Sequence, residues 1–310
     1  MIYSLPIMLK QRVLLLVLIA AASLSSSPVL GQKDREEGYI VTLDFAIAET
    51  LFEFSDLLVA MGGENNYRSW LGEGSTPSSL VNIGINPYPN KELIFSMDVK
   101  GVLSPPQYTR LEEGLSKIAP VEQLSPYRES SLMGWDRMVE FTKEVGLFAG
   151  REQEAFQLIS QADEHMSNLR ETISAFPDPL LIIQFLDERH VRVYGHNSLP
   201  GTVIDRIDLD NAWDGPTNRW GFSVISIDDL FKIHAYFVVV DTSHLSSRRA
   251  VQEDVMKSEL WSLLPSVQTG NTTLLDANFW VFGAIPSAMR FAESLVEVLS
   301  ADDARPLSRR

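Results

Sequence analysis

Cysteine is absent from the 310 residues, which excludes disulfide frameworks, thiolate zinc sites, iron–sulfur clusters, cysteine nucleophiles and a lipid-modified cysteine at a processed N-terminus. Positive charge is scarce: 26 Lys and Arg stand against 41 Asp and Glu, a net charge of −15. That balance repels a phosphate backbone, so nucleic acid is excluded as a general partner. No apolar run reaches the roughly twenty residues that cross a membrane. Glycine-rich phosphate loops of both common types are missing, as is the Gly-x-Ser-x-Gly nucleophile elbow. The histidines, His165, His190, His196, His234 and His244, contain no i, i+4 pair, and without thiolates only mixed His/carboxylate metal sites would remain. No catalytic constellation emerges. What is present is 45% hydrophobic and 22% charged residues, the composition of an ordinary globular protein with material for a sizeable core.

The chain opens with Lys10 and Arg12, an apolar run from Val13 to Ala22, and the small polar stretch Ser23 to Ser27. This three-part layout predicts a cleaved secretory signal over residues 1–31, with Val29 and Gly31 before the cut. The run is half the length of a membrane anchor. An acidic, exported protein without a lipid-accepting cysteine is expected to move freely in the periplasm of a Gram-negative cell.

Beyond the signal, the pattern predicts two α/β lobes joined by one long helix. Tyr39 to Leu43 reads as a buried strand and Ala46 to Phe54 as a helix. Val81 to Gly84 and Gly101 to Leu103 read as strands, and Asn90 caps a short helix ending at Met97. Residues 32–150 are therefore expected to form the first lobe. A helix is expected from Ser131 to Val145. From Arg151 to Ser174 there is no Gly or Pro, and Phe156, Ile159, Ala162, Met166, Leu169 and Ile173 recur at helical spacing. This predicts a linking helix within 151–175. Strands at Leu180 to Phe185, Val191 to Tyr194 and Ala235 to Val240, with a closing helix from Ser287 to Leu299, predict a second lobe over 176–310.

The tryptophans carry the strongest hint of function. Trp70, Trp213, Trp220 and Trp280 lie in segments that read as loops, whereas Trp135 and Trp261 are expected in the core. Loops at strand ends of open α/β sheets are where ligands bind, and several tryptophans on both halves predict an aromatic-lined cleft between lobes. Gly195-His196-Asn197-Ser198 places a serine near a histidine, leaving a secreted hydrolase using Ser198 and His196 as a distant alternative.

The chain resembles the periplasmic binding proteins for ferric hydroxamate siderophores, of the ferrichrome-binding type. The resemblance rests on Leu43-Asp44 with Ala48-Glu49-Thr50-Leu51, on Asn66-Tyr67-Arg68-Ser69-Trp70, and on Gly84 with Pro89-Asn90-Lys91-Glu92-Leu93. It continues through Ile118-Ala119-Pro120, Val193 to Leu199, Asn211-Ala212-Trp213, Thr217 to Gly221, Ser226-Ile227-Asp228 and Gly283-Ala284 with Ser287-Ala288-Met289. It implies a helical-backbone fold in which a stiff linking helix limits closure, and a protein that is no enzyme but delivers an iron chelate to an inner-membrane ABC permease. It also implies a monomer without cofactor, the iron being held by the siderophore rather than by protein ligands. The family's cleft positions fall on Trp70, Tyr108, Trp213, Asn218, Trp220 and Trp280 with the residue type kept. They fall with a changed type on Leu103 for tryptophan, Phe282 for tyrosine and Asn86 for arginine. Arg192 stands where the family is apolar, which suggests that the cleft cation has moved, with the Asn86 amide as the other candidate donor. Permease docking is expected at Glu113 and Asp228. Another iron chelate, haem or a corrinoid is the alternative ligand.

Overall fold

Residues 38–128, 132–173, 176–245 and 248–303 are described by a computed structural model, so the expected signal segment lies outside them. Chain order begins with the buried strand β1 (Tyr39–Thr42) and helix α1 (Phe45–Phe52), whose N-terminus is capped by Asp44 accepting the Ile47 N–H at 3.1 Å. There follow β2 (Val59–Met61), α2 (Glu64–Leu71), β3 (Val81–Asn82), and the small hairpin β4 (Gly84–Ile85) with β5 (Tyr88–Pro89). Helix α3 (Lys91–Ser96) has the expected Asn90 cap, its side chain accepting the Leu93 N–H at 2.9 Å. Strand β6 (Val99–Ser104), helix α4 (Thr109–Leu115) and strand β7 (Val121–Gln123) complete a sheet of order β3-β2-β1-β6-β7, parallel throughout.

Two antiparallel helices lead out of this sheet. Helix α5 (Trp135–Ala149) ends at Gly150, whose φ of 65° is the left-handed turn a glycine adopts without penalty, and α6 (Glu152–Thr172) starts at once. The 21 residues of α6 span about 32 Å. Glu152 and Glu154 in its first turn and Arg170 in its last oppose the helix dipole.

The second sheet contains β8 (Leu180–Phe185), β9 (His190–Tyr194), β10 (Phe222–Ser226), β11 (Tyr236–Asp241) and β12 (Thr272–Asp276) in the order β10-β9-β8-β11-β12. The β8, β11 and β12 strands are parallel, whereas β9 and β10 run antiparallel at one edge. Helix α7 (Leu199–Arg206) follows β9, the short α8 (Arg249–Lys257), α9 (Glu259–Ser262) and α10 (Pro265–Gln268) precede β12, and α11 (Ile285–Asp303) closes the fold. Alternation along β8 and β11 explains the layers. Leu180, Ile182, Val238 and Val240 face a core shared with α1, α5, α6, α7 and α11, while Leu181, Ile183, Phe237 and Val239 face Val255, Trp261 and Leu264. The shared core joins the two sheets. Among the described residues no helix is long and apolar enough to cross a membrane.

Two sequence expectations change here. Trp70 lies on α2, not in a loop, because Glu64 to Leu71 forms two helical turns despite the polar run Asn65-Asn66. Trp261 is core, but Trp135 is only half-buried: its indole N–H donates to Asp163 at 2.8 Å and Arg206 lies over its ring at 5.2 Å.

Candidate ligand-binding cleft

In the first sheet the chain leaves β1 toward β2 on one side and β6 toward β7 on the other, which makes the C-terminal ends of β1 and β6 the crevice where open α/β sheets take ligands. Asp44 follows β1 there, and Tyr108 ends the short helical turn that follows β6. Burial pushes the Asp44 carboxyl up to about 6 against the stabilising Ile47 and Ala46 N–H groups. Burial and then the Asp44 charge raise the Tyr108 hydroxyl above its ordinary value. In the second sheet the equivalent divergence lies between β8 and its neighbours β9 and β11.

A wall of aromatic rings crosses from one sheet's elements to the other's. Trp70 on α2 meets Trp280 edge-on at 5.2 Å, and Trp280 meets Phe282 at 5.5 Å. Phe282 meets Phe222 of β10 at 6.0 Å, and Phe222 stacks on Trp220 at 6.5 Å with the planes only 19° apart. Phe45 braces Trp280 at 5.1 Å and Tyr127 braces Phe282 at 6.1 Å. Edge-to-face pairs at these separations add roughly 0.5–1.5 kcal/mol each to the burial they accompany. Trp220 remains 37% exposed at the end of the wall, with the Arg219 guanidinium carbon 4.2 Å from its ring centre.

Arg192 projects from β9 into this wall. Its guanidinium carbon lies 4.5 Å from the Phe222 ring centre and 5.6 Å from that of Phe282, and its Nη1 donates to Gln184 Oε1 at 2.9 Å. Asn86 is occupied differently. Its amide nitrogen donates to the carbonyls of Leu43 at 2.8 Å and Gly62 at 3.1 Å, tying the ends of β1 and β2 together. Both amide hydrogens are thereby used, and the remaining Oδ1 is buried without a partner. Leu103 is fully buried in the shared core and presents no surface to a ligand.

The other expected residues lie beside the wall. Trp213 packs over Gly195 and Gly215 and, with Asn218 and His196, lines a cavity of about 370 Å³. Asn218 shapes the turn itself, its Oδ1 accepting the Trp220 N–H at 2.9 Å and the Phe222 N–H at 3.3 Å. On the first lobe a cavity of about 510 Å³ is lined by Phe45, Ser69, Ile85 and Asn86, among others. Sequence reasoning missed Phe45, Tyr127, Phe222 and Gln184. Only Phe222 left a signal, two residues after Trp220.

The loop carrying Trp280 and Phe282 is anchored on the first lobe. Glu49 of α1, 1% exposed, accepts the Ala284 N–H at 3.0 Å on Oε1, and on Oε2 the Ser287 hydroxyl and an Arg290 Nη2–H at 2.6 Å each. Ser287 Oγ in turn accepts the Trp280 N–H at 2.9 Å. Burial raises the Glu49 carboxyl, opposed by Arg290, Ser287 and Ala284. Gly283 is required, since a Cβ there would collide with Glu49 and Ser287.

Glu113 on α4 is exposed beside Lys117 at 3.4 Å, and Asp228 is exposed in the helical turn after β10. Ser198 is fully buried as the cap of α7, donating to the Gly195 carbonyl at 2.6 Å, while His196 turns to Asp205 at 3.0 Å. The serine and histidine therefore do not form a nucleophile–base pair. Among the described residues no three His, Asp or Glu side chains could hold a metal ion.

A family model described as "Periplasmic binding protein" matches residues 40–279. The iron(3+)-hydroxamate-binding protein FhuD of Escherichia coli (strain K12) is 27% identical over 302 residues, covering 94% of this chain and 97% of the relative. The crystal structure of Fe3+-Desferal-bound FhuD from Vibrio cholerae superposes with a TM-score of 0.75 at 24% identity, covering 86% of this chain and 98% of that one. Unliganded FhuD2 from Staphylococcus aureus gives 0.68 at 14% identity over 84% and 98% of the chains. These likenesses establish the fold.

Proposed function

The chain belongs to the periplasmic binding protein family, and on that premise we propose that it captures an iron(III)-hydroxamate siderophore in the aromatic cleft and delivers it to an inner-membrane ABC permease. The observation that carries the reading is the ring wall from Trp70 to Trp220, built by both halves of the chain, with the Arg192 guanidinium against Phe222 and Phe282 and that of Arg219 against Trp220. A ferric trihydroxamate is compact and nearly neutral, with an apolar periphery that flat rings bury and an oxygen shell that a few donors meet. Similarity to relatives whose names specify hydroxamate and Desferal supports this ligand class over haem or a corrinoid.

Trp70, Trp220, Trp280 and Phe282 would contact the chelate, with Trp213, Asn218 and Tyr108 at its margins and Arg192 supplying the charge. Since Asn86 is spent on backbone carbonyls, Arg192 is the better-supported donor. The protein acts as a binding module rather than an enzyme, is exported by cleavage of residues 1–31, works as a monomer in the periplasm, and meets the permease through Glu113 and Asp228. The iron arrives inside its chelator and needs no protein ligand.

The test is optical. Ferric desferrioxamine B added to purified protein should quench tryptophan fluorescence saturably, and the chelate's visible absorbance should remain with the protein through desalting. Retention of haem or a corrinoid in place of every ferric hydroxamate tried would refute the ligand class.

A further inference from the structure

Behind the aromatic wall lies a group of donors without an acid. Gln184 and Arg192 face one another across the β8–β9 pair, and Gln184 Oε1 accepts both Arg192 Nη1–H and the Tyr194 hydroxyl at 2.9 Å. That oxygen is saturated. Gln184 Nε2 and Arg192 Nε are buried and have no partner, although Gln184 and Tyr194 are fully buried residues. A second cation comes in from the segment after β11: Arg248 Nη1 donates to the Phe185 carbonyl, the residue after Gln184, at 3.2 Å. Burial and the nearby Arg192 charge both lower the Arg248 pKa, as expected for like charges within electrostatic reach.

Among the described residues neither arginine has a carboxylate within ion-pairing distance, their polar partners being Gln184, Tyr194 and the Phe185 carbonyl. Asp241, at the end of β11, is held by Gln252 Nε2 at 2.7 Å and by the Ser243 N–H at 2.8 Å. Two partly buried like charges without a counter-charge are costly unless one arrives from outside. The guanidinium fork suits a carboxylate, whose two oxygens can accept paired N–H groups. Phe222 and Phe282, which pack against Arg192, belong to the cleft wall, so an anion there would sit against the bound chelate.

We propose that Arg192 and Arg248, with the free amide of Gln184, form an anion-accepting subsite on the second-lobe side of the cleft, and that the preferred ligand is a ferric hydroxamate bearing a carboxylate. This rests on the hydroxamate reading and narrows it: charge at the rim of the chelate, not the hydroxamate group alone, sets selectivity.

The experiment compares dissociation constants for ferric aerobactin, a citrate-based dihydroxamate whose two side-arm carboxylates stay free of the iron, with those for ferrichrome, a neutral trihydroxamate. The unmodified protein should favour the citrate-based chelate at least tenfold. Arg248→Gln should collapse that ratio to near one, whereas Arg248→Lys, which keeps the charge, should retain part of it. A preference for ferrichrome, or a ratio unchanged in a folded Arg248→Gln protein, overturns the subsite. Iron-free citrate at constant ionic strength supplies an independent reading, since it should raise the melting temperature of the parent but not of Arg248→Gln. If no ferric hydroxamate binds while citrate still stabilises through Arg248, the hydroxamate reading falls and the subsite stands. If neither the chelates nor citrate responds to Arg248, the subsite falls.

Discussion

Replacing Glu49 by Gln should weaken both the fold and the cleft, and the geometry says by how much. A glutamine keeps Oε1 and the Ala284 N–H bond, but it places an amide donor where Oε2 accepted the Ser287 hydroxyl and Arg290. Ser287 Oγ then faces donors from Trp280, Arg290 and the new amide with no acceptor for its own hydrogen. Breaking a fully buried ion pair from one side costs about 3–5 kcal/mol. Arg290 is 30% exposed and can be partly hydrated, and the neutral amide escapes the burial cost that raises the Glu49 carboxyl, so about 2–3 kcal/mol is expected. For a protein of this size that lowers the melting temperature by roughly 3–5 °C. Because Ser287 also fixes the Trp280 N–H, the substitution should red-shift Trp280 emission, isolated by difference from Trp280→Phe, and should weaken chelate binding about tenfold. Val255→Ala is the control, since it loosens the far face of the second sheet and should lower stability without changing either readout. If Glu49→Gln shifts only the melting temperature, as Val255→Ala does, Glu49 does not position the cleft and the reasoning fails.

Trp220→Ala should weaken chelate binding by about 1–3 kcal/mol, measured by fluorescence titration, because its exposed face caps the wall. Reversing charge at both Glu113 and Asp228 should abolish uptake into cells while leaving affinity in solution intact, both side chains being exposed. The Asp44 carboxyl sits at about 6 in the folded protein against 3.8 ordinarily, so the fold binds its proton more tightly than the unfolded chain does. The sign follows: this group costs the fold up to about 3 kcal/mol above pH 6, less where water reaches it, and the cost disappears as pH falls toward 4. Asp44→Asn, which preserves the helix cap, should therefore melt higher than the parent at pH 7.5 and at the same temperature near pH 4; an equal difference at both would refute it.

The architecture was legible because its main elements have unambiguous periods. Leu180 to Phe185 is a six-residue buried run, and the gap free of Gly and Pro from Arg151 onward became the 21-residue α6. Elements whose pattern is weak were missed: β2 is three residues, and β10 and β12 are edge strands with half-exposed residues that show no clean alternation. The candidate site was legible only in its tryptophans, which announce themselves one by one. Their partners were not, since Phe45, Tyr127 and Phe222 look like ordinary core residues until the fold sets them against Trp280 and Phe282. The Glu49 anchor spans 235 positions to Ala284, a separation at which no local pattern speaks.

The cleft's charge shows why a site cannot be carried over one residue at a time. Where the resemblance expects an arginine, Asn86 holds the ends of β1 and β2 through Leu43 and Gly62, a backbone task that a guanidinium with its longer stem would not reproduce. Restoring an arginine at 86 would break those two bonds before it reached any ligand, so Asn86→Arg should not rescue a protein that has lost Arg192. The cation at 192 is built in instead by its own surroundings: the Phe222 and Phe282 rings pack against it and Gln184 fixes one edge. Those contacts orient the guanidinium before any ligand arrives, which lowers the ordering cost of binding. The amide at 86 and the arginine at 192 are thus each stabilised by their own neighbours, and on the proposed reading the cation that meets the chelate stands on the second-lobe side.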